Sequence, residues 1–85
     1  MKLMLVSIRD EITQEYERPG VCKNVEEVKR SFADLCKFDE KMKLHTEDYS
    51  IWHMGDFDTE TGTITTTPIM PILIERGAKL YGNEN

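Results

Sequence analysis

Residues 47–62 concentrate side chains that could do chemistry. The segment Glu47-Asp-Tyr-Ser-Ile-Trp-His-Met-Gly-Asp-Phe-Asp-Thr-Glu-Thr-Gly62 contains the only tryptophan, one histidine and five carboxylates, with no lysine or arginine. His53, Asp56 and Asp58 offer the imidazole and carboxylate ligands that a first-row divalent metal ion takes. In a regular strand, however, positions 56 and 58 share one face and position 53 points to the other. The spacing therefore favours a solvated acidic turn over a metal site, and we expect no metal and no cofactor.

Two further catalytic arrangements follow from the residue types. Asp56 and Asp58 could divide acid and base roles, as paired carboxylates do in glycoside hydrolysis. That chemistry needs a cleft, and a hairpin in so short a chain offers little concave surface. Cys22 and Cys36 are the only cysteines and have no catalytic signature around them, so we expect reduced, packed thiols. The sequence therefore predicts a protein that is not an enzyme.

The aromatic side chains of the same segment have two interpretations. Aromatic residues on a sheet face can stack on unpaired nucleic-acid bases, and Trp52 could do so. In a regular strand over residues 49–57, Tyr49, Ile51 and Phe57 would share one face. Trp52 would lie on the other. One of the two faces must pack on a helix, so core or hydrophobic-interface packing is the simpler interpretation for Trp52.

Charge is unevenly distributed along the chain. The 85 residues carry a net charge of −5, and residues 46–70 contain five acidic side chains and no basic one. Nucleic-acid-binding domains usually carry a basic footprint, which exists here only on residues 23–43, interleaved with acids. These basic side chains form either an ordinary solvated helix face or a weak phosphate-binding face. The candidate phosphate contacts are Lys23, Lys29, Arg30, Lys37, Lys41 and Lys43.

Two strands and one helix are predicted in the first half of the chain. Residues 3–8 form an apolar run typical of an interior strand, and residues 13–17 return as a more polar edge strand. Arg18-Pro-Gly20 ends that strand, because Pro-Gly is strong turn punctuation. Asn24 and Glu27 predict a helix N-terminus with a capping box. The apolar stripe of that helix comprises Val25, Val28, Phe32, Leu35 and Cys36.

A β-hairpin is predicted in the second half. Residues 49–57 and 63–67 are its two strands, since both are rich in residues with strand propensity. Asp58 stands where a turn needs a side-chain acceptor, and Gly62 stands where the chain needs a positive φ. The acidic segment is thus predicted to fold as a strand that runs into a tight turn.

These elements predict an α+β fold. Residues 39–45 are a charged connection or a last helical turn. Residues 72–81 are a short second helix with Pro71 at its first position, or an extended tail. The order ββαββ then gives a small antiparallel sheet with one main amphipathic helix packed on a face. A chain of 85 residues has room for one core, so we expect a single domain over residues 1–85.

Residues 45–64 resemble a known protein family. The run His45-Thr-Glu-Asp-Tyr-Ser-Ile-Trp-His-Met-Gly-Asp-Phe-Asp-Thr-Glu-Thr-Gly-Thr-Ile64 is similar to the small nonstructural protein of gokushovirus-type microviruses, which are single-stranded DNA phages. The family pattern is His-Pro-Glu-Asp-Tyr, then Gly-x-Phe-Asp, then Thr-Gly or Ser-Gly, and Thr46 replaces its proline here. The matching positions are His45, Asp48, Tyr49, Gly55, Phe57, Asp58 and Gly62.

The resemblance implies a virus-encoded protein that acts in the bacterial host cytoplasm and is absent from the virion. Members of that family are described as DNA-binding proteins that assist the synthesis and packaging of single-stranded genomes. The resemblance carries over no catalytic residue, and most of its matching positions are interpreted as fold-specifying. Viral DNA, single-stranded rather than duplex, is therefore the expected partner, bound along the basic face of the helix.

An alternative hypothesis rests on charge. The protein could be an acidic adaptor or inhibitor whose hairpin engages a basic groove on a viral replication or packaging protein, or on a host protein. Its candidate partner-binding residues are Trp52, Asp56, Asp58 and Glu60. Both hypotheses admit a homodimer, formed through an exposed sheet edge or the C-terminal helix.

No membrane partner is expected. The chain has no apolar run near the roughly 18–20 residues that a membrane span needs. Its N-terminal apolar run ends at Ser7, too early for the hydrophobic region of a signal peptide, and no small-residue cleavage site follows. We therefore expect an intracellular protein.

Overall fold

The computed structural model describes residues 1–66 and 71–82, which form an antiparallel sheet with helices. The strands are β1 (Lys2–Asp10), β2 (Glu15–Tyr16), β3 (Gly20–Cys22), β4 (Tyr49–Asp58), β5 (Ile64–Thr66) and β6 (Ile72–Arg76). The helices are α1 (Val25–Phe38), α2 (Glu40–Leu44) and α3 (Gly77–Gly82), and a single 3₁₀ turn spans Thr46–Asp48. The predicted α+β class, with one main amphipathic helix and a short C-terminal helix, is confirmed.

Two long strands, β1 and β4, form the centre of the sheet. They pair antiparallel over their whole lengths, with Lys2 opposite Asp58 and Asp10 opposite Tyr49. β2 and β3 share the outer edge of β1, and β5 and β6 share the outer edge of β4. The sheet is therefore four strand positions wide, and each edge position is occupied by two short strands instead of one long strand.

The third strand lies where only a turn was predicted. Pro19 has no N–H to donate to a strand ladder, so it ends the pairing of β2. The chain then returns to β1, where Val21 lies opposite Leu5. The predicted hairpin strand over residues 63–67 is confirmed as β5, and residue 67 lies outside the described residues.

α1 begins at the predicted cap. Asn24 Oδ1 accepts a hydrogen bond from the Glu27 N–H at 2.8 Å, and Glu27 Oε1 accepts one from the Lys23 N–H at 2.9 Å. Two amides that the helix cannot pair internally are thereby satisfied. The buried stripe of α1 is narrower than predicted, because Val25 in the first turn and Leu35 at the margin of the arc are exposed. The residues of α1 that are buried are Val28, Phe32 and Cys36.

The core lies between this stripe and one face of the sheet. Phe32 and Val28 are fully buried, and they share a cluster with Val6 of β1 and Ile51 of β4. Met42 of α2 completes the cluster from the side. The stretch predicted as a connection thus holds a second helix that contributes to the core. Asp39 makes this possible, because it ends α1 and its Oδ1 accepts the N–H of Lys41 and Met42 at 3.1 Å.

The predicted helix over residues 72–81 is wrong in its first half. Residues 72–76 form β6 along the edge of β4, with Leu73 opposite Trp52 and Arg76 opposite Ser50. Strand pairing satisfies backbone groups of β4 that would otherwise be left without partners. The helix begins at Gly77, where a side chain would collide with the carbonyl of Thr46. No helix in the described part of the chain has the length and apolar character that crossing a bilayer demands.

β4 contains a bulge. His53 lies opposite Val6, and Gly55 lies opposite Leu5, so β4 has one more residue than β1 between these two pairs. Gly55 also lies close against β5, where a side chain would collide with the carbonyl of Thr65. Position 55, at the end of the bulge, therefore accepts no side chain unless the β5 backbone moves.

The bulge changes which residues of β4 share a face. Phe57 lies opposite Leu3, on the sheet face that also carries Trp52 and points away from the core. The prediction that Phe57 shares a face with Tyr49 and Ile51 is wrong, because it assumed unbroken alternation along the strand.

The hairpin turn is built as predicted. Asp58 Oδ1 accepts hydrogen bonds from the N–H groups of Glu60 at 2.9 Å and Thr61 at 3.4 Å. Gly62 has a φ of 76° and donates its N–H to the Asp58 carbonyl at 2.8 Å. These backbone hydrogen bonds, from Glu60 first, lower the pKa of the Asp58 carboxyl below its ordinary value.

We predict that Gly55→Ala lowers the free energy of unfolding by about 1–3 kcal/mol, because its new methyl group must displace the β5 backbone. Urea denaturation followed by circular dichroism measures the loss. Gly20→Ala is the matched control: no atom lies within 4 Å of a side chain built there. We expect the control to change stability by less than about 0.5 kcal/mol. Equal stability of the two variants would contradict the close packing of β4 on β5.

Candidate nucleic-acid interface

The predicted basic residues lie mainly on the solvent side of α1. Lys29, Arg30 and Lys37 are all exposed, as is Lys23 just before the helix. Arg30 and Lys37 are seven residues apart, which places them on nearly the same side, about 10 Å apart along the helix axis. Lys43 is exposed on α2. The structure therefore brings Arg30 and Lys37 into line, with Lys29 on their flank.

These basic side chains are not neutralised by neighbouring acids. Within residues 1–66 and 71–79, whose side chains are described, none of the ion pairs involves Lys29, Arg30 or Lys37. Asp34, one turn from Arg30 on the same helix, makes no such pair with it. The cations therefore remain available to an external anion.

Phe38 is the residue of this surface that the sequence analysis did not identify. It is 72% exposed at the end of α1, and Lys37 Nζ lies 5.6 Å from the centre of its ring. The sequence contained a signal for it. Phe38 follows the buried Cys36 by two residues, which corresponds to a rotation of about 200° around the helix axis. An aromatic ring at that position faces water. We refer to Arg30, Lys37 and Phe38 as the basic ridge.

Lys41 lies beside Tyr49 and is not part of the basic ridge. Its Nζ lies 6.0 Å from the ring centre of Tyr49, and Tyr49 and then Glu17 raise the pKa of the Lys41 ammonium. Burial raises the pKa of the Tyr49 phenol, and the positive charge of Lys41 partly offsets this increase. Lys41 is thus charged and Tyr49 neutral at pH 7.

A shallow pocket of about 390 Å³ lies beside these two residues. Three of the positions that carry the family resemblance, His45, Asp48 and Tyr49, line it together with Asp10. Asp10 Oδ1 is already used by the following turn, where it accepts the N–H of Ile12 at 2.9 Å. The resemblance at these positions therefore coincides with the junction between the ends of β1 and β4.

The four predicted partner-binding residues are spread over different surfaces. The Trp52 indole N–H donates to Ser50 Oγ at 2.8 Å, on the sheet face away from the core. Asp56 lies opposite Met4, on the core side. Asp58 is held in the turn. Glu60 projects from the loop with its side chain 82% exposed, 3.6 Å from the N-terminal ammonium.

Because of the bulge, the candidate metal ligands are arranged differently from the prediction. His53 Nε2 lies 3.2 Å from Asp56 Oδ1, so these side chains meet instead of pointing to opposite faces. Asp58 does not join them, because its carboxylate is bonded within the turn. Within the described residues, no three histidine, cysteine, aspartate or glutamate side chains lie close enough to hold a metal ion.

A polar network that the sequence did not indicate covers one end of the outer sheet face. Arg9 Nε lies 2.8 Å from Glu11 Oε1, and Arg76 Nη1 lies 3.8 Å from Glu11 Oε2. The Arg9 Nε–H donates no hydrogen bond to an acceptor among the described residues, so its contact with Glu11 is an ion pair only. Ser50 donates to Glu11 at 3.2 Å. The Tyr16 ring lies under Arg9 and meets Trp52 edge-on, with ring centres 6.3 Å apart.

Comparison with known proteins identifies the family. The family described as Phage ORF5 protein matches residues 3–80. This chain belongs to the phage ORF5 protein family. The phage origin expected from residues 45–64 is thus confirmed. No curated protein and no solved structure matches the chain.

The two cysteines of this phage protein are free and buried, as predicted. Burial raises the pKa of the Cys36 thiol to about 11. Burial and then Glu27 raise the pKa of the Cys22 thiol above its ordinary value. Both side chains are therefore protonated at neutral pH, and the thiolate is the nucleophilic form.

We predict that iodoacetamide at pH 8 leaves Cys22 and Cys36 unmodified in the folded protein and modifies both in urea. With a pKa near 11, only about one Cys36 thiol in a thousand is ionised at that pH. Mass spectrometry over time measures the labelling. Leu44→Cys is the positive control, because Leu44 is exposed on α2. Native labelling of Cys36 at the rate of that control would contradict its burial.

Proposed function

We propose that this protein is a nonenzymatic, nonstructural protein of a gokushovirus-type microvirus that binds single-stranded DNA in the host cytoplasm and assists genome synthesis and packaging. The observation that carries the proposal is the exposed ring of Phe38 beside Lys37 on the basic ridge. The residue pattern at 45–64 supports the viral assignment, and the phage ORF5 family agrees with it.

The chemistry of the ridge fits a nucleic-acid strand. Arg30 and Lys37 can neutralise phosphates and release their counterions, which makes binding dependent on salt. Phe38 can stack on a base, an interaction worth about 1–3 kcal/mol per base. Stacking on a side chain needs an unpaired base, so the ridge favours single strands over duplex DNA.

The charge distribution restricts where DNA can bind. Residues 46–70 carry five acids and no base, so the hairpin repels phosphate. Residues 23–45 carry six basic and five acidic side chains. DNA therefore approaches the α1 side of the molecule. The small positive excess there fits a modest affinity that falls as salt rises, with a slope set by the few phosphates that the ridge contacts.

We predict that fluorescence anisotropy detects binding of a single-stranded oligonucleotide at low salt, with weaker binding to a duplex of the same length. Phe38→Ala is expected to weaken single-strand binding roughly tenfold, because it removes the stacking surface. Ile12→Ala is the matched control, since Ile12 is 71% exposed and lies outside the ridge. Lys37→Ala should reduce the dependence of affinity on salt.

Two outcomes would contradict the proposal. Absence of binding at low salt, where phosphate contacts are strongest, would exclude DNA as the partner. Equal affinities of Phe38→Ala and Ile12→Ala would exclude stacking on the ridge.

The acidic hairpin supports a second candidate function, an adaptor that engages a basic groove on a replication, packaging or host protein. The supporting observation is Glu60, whose side chain is 82% exposed at the loop tip. Asp58 is a poor target for charge reversal, because its carboxylate builds the turn.

We predict that, if the hairpin is an adaptor, Glu60→Lys removes a partner that the wild-type protein captures from infected-cell lysate. The reason is charge reversal at the point of contact. Glu26→Lys is the control, since Glu26 is exposed on α1, away from the hairpin. Quantitative mass spectrometry of the captured proteins gives the comparison. Retention of every partner by Glu60→Lys would remove the case for the adaptor.

A further inference from the structure

The sheet face away from the core is apolar where this fold type usually presents polar side chains. In an antiparallel sheet covered by helices on one face, the other face is normally solvated and polar. Here Val21 is 52% exposed and Ile64 is 63% exposed. We call this surface the open face, and its apolar members include Leu3, Leu5, Val21, Trp52, Phe57 and Ile64.

The charged groups at the two ends of the open face are paired within the chain. Arg9 and Arg76 lie at one end, where they share the carboxylate of Glu11. At the other end, Glu60 Oε1 lies 3.6 Å from the N-terminal ammonium, and Asp58 Oδ1 accepts the N–H of Glu60 within the turn. The apolar centre between these ends is therefore the part of the surface that a partner would cover.

We propose that the open face packs against the open face of a second copy of this chain, related to the first by a two-fold axis. Each copy then covers the exposed side chains of Val21 and Ile64 on the other, and burial of this apolar surface stabilises the contact. The sequence suggested a dimer through a sheet edge or the C-terminal helix, and the open face is a different surface.

The size of the open face suits a dimer. Four strand positions at about 4.8 Å, and about nine residues at 3.3 Å, give a surface roughly 20 Å wide and 30 Å long. Two such surfaces in contact bury on the order of 1,200 Å² in total, which is within the range of specific interfaces. Sheets packed face to face in this way form the core of a β-sandwich.

Charge argues against nucleic acid as the occupant. Arg9 and Arg76 already pair with Glu11, so the open face offers little free positive charge to phosphate. The helices lie on the other face, so a dimer of this kind leaves the basic ridge accessible on both copies. The proposal therefore does not depend on DNA binding.

Light scattering coupled to size exclusion, together with the fluorescence of Trp52, tests the proposal on the full chain. We expect twice the mass of one chain at high concentration, and a red shift of Trp52 emission on dilution as the ring returns to water. Val21→Glu combined with Ile64→Glu should raise the dimer dissociation constant at least tenfold. Leu44→Glu combined with Ile12→Glu is the matched control, because both residues are exposed outside the open face.

Three results would overturn the proposal. The first is a wild-type protein with the mass of one chain at every concentration. The second is a double variant that dimerises as tightly as the control. The third is a monomeric protein whose Trp52 emission is quenched by an oligonucleotide, which would assign the open face to bases. Circular dichroism checks that the variants fold. If the double variant does not fold, the single variant Ile64→Lys is used for the same test.

Discussion

The pairing of β1 with β4 joins the beginning of the chain to its second half, and each of the other strands that the structure describes attaches to one of these two. Residues 11–48 therefore close as a long loop when the two central strands pair, at an entropic cost. The burial of Phe32 and Val28 against Val6 and Ile51 offsets it, because these residues bring α1 onto both central strands at once. Sheet and helix thus share one core, as expected for a domain of this size.

Signals confined to neighbouring residues could be predicted from the sequence. Asn24 and Glu27 define the start of α1, and Asp58 and Gly62 define the hairpin turn, because each acts within a few residues of itself. The bulge in β4 could not be predicted, since an extra residue exists only relative to the partner strand. β6 was missed for the same reason: residues 72–76 are a strand because β4 has a free edge beside them. Phe38 was predictable, because its position opposite Cys36 depends on helix geometry alone.

The basic, acidic and apolar side chains lie on different surfaces of the molecule. The basic ridge lies on the helical layer, the acidic residues lie at the hairpin, and the apolar open face lies behind the sheet. The bulge contributes to this division, because it moves Phe57 to the open face and brings Asp56 beside His53 on the other. Residues that are adjacent in the acidic segment thus serve different surfaces. This explains why the segment looked like one crowded site in the sequence.

The interrupted edge strands decide what kind of association the fold permits. An edge strand that pairs with the edge of another copy leaves a further edge free, so such contacts can repeat without limit and build fibres. Here the edge strands are between two and five residues long, with Pro19 and Pro71 beside them, and they make poor templates for another chain. When two copies associate through the same face about a two-fold axis, each face is fully covered by one partner and cannot bind another. The fold thus carries an apolar surface and still favours closed assembly over polymerisation.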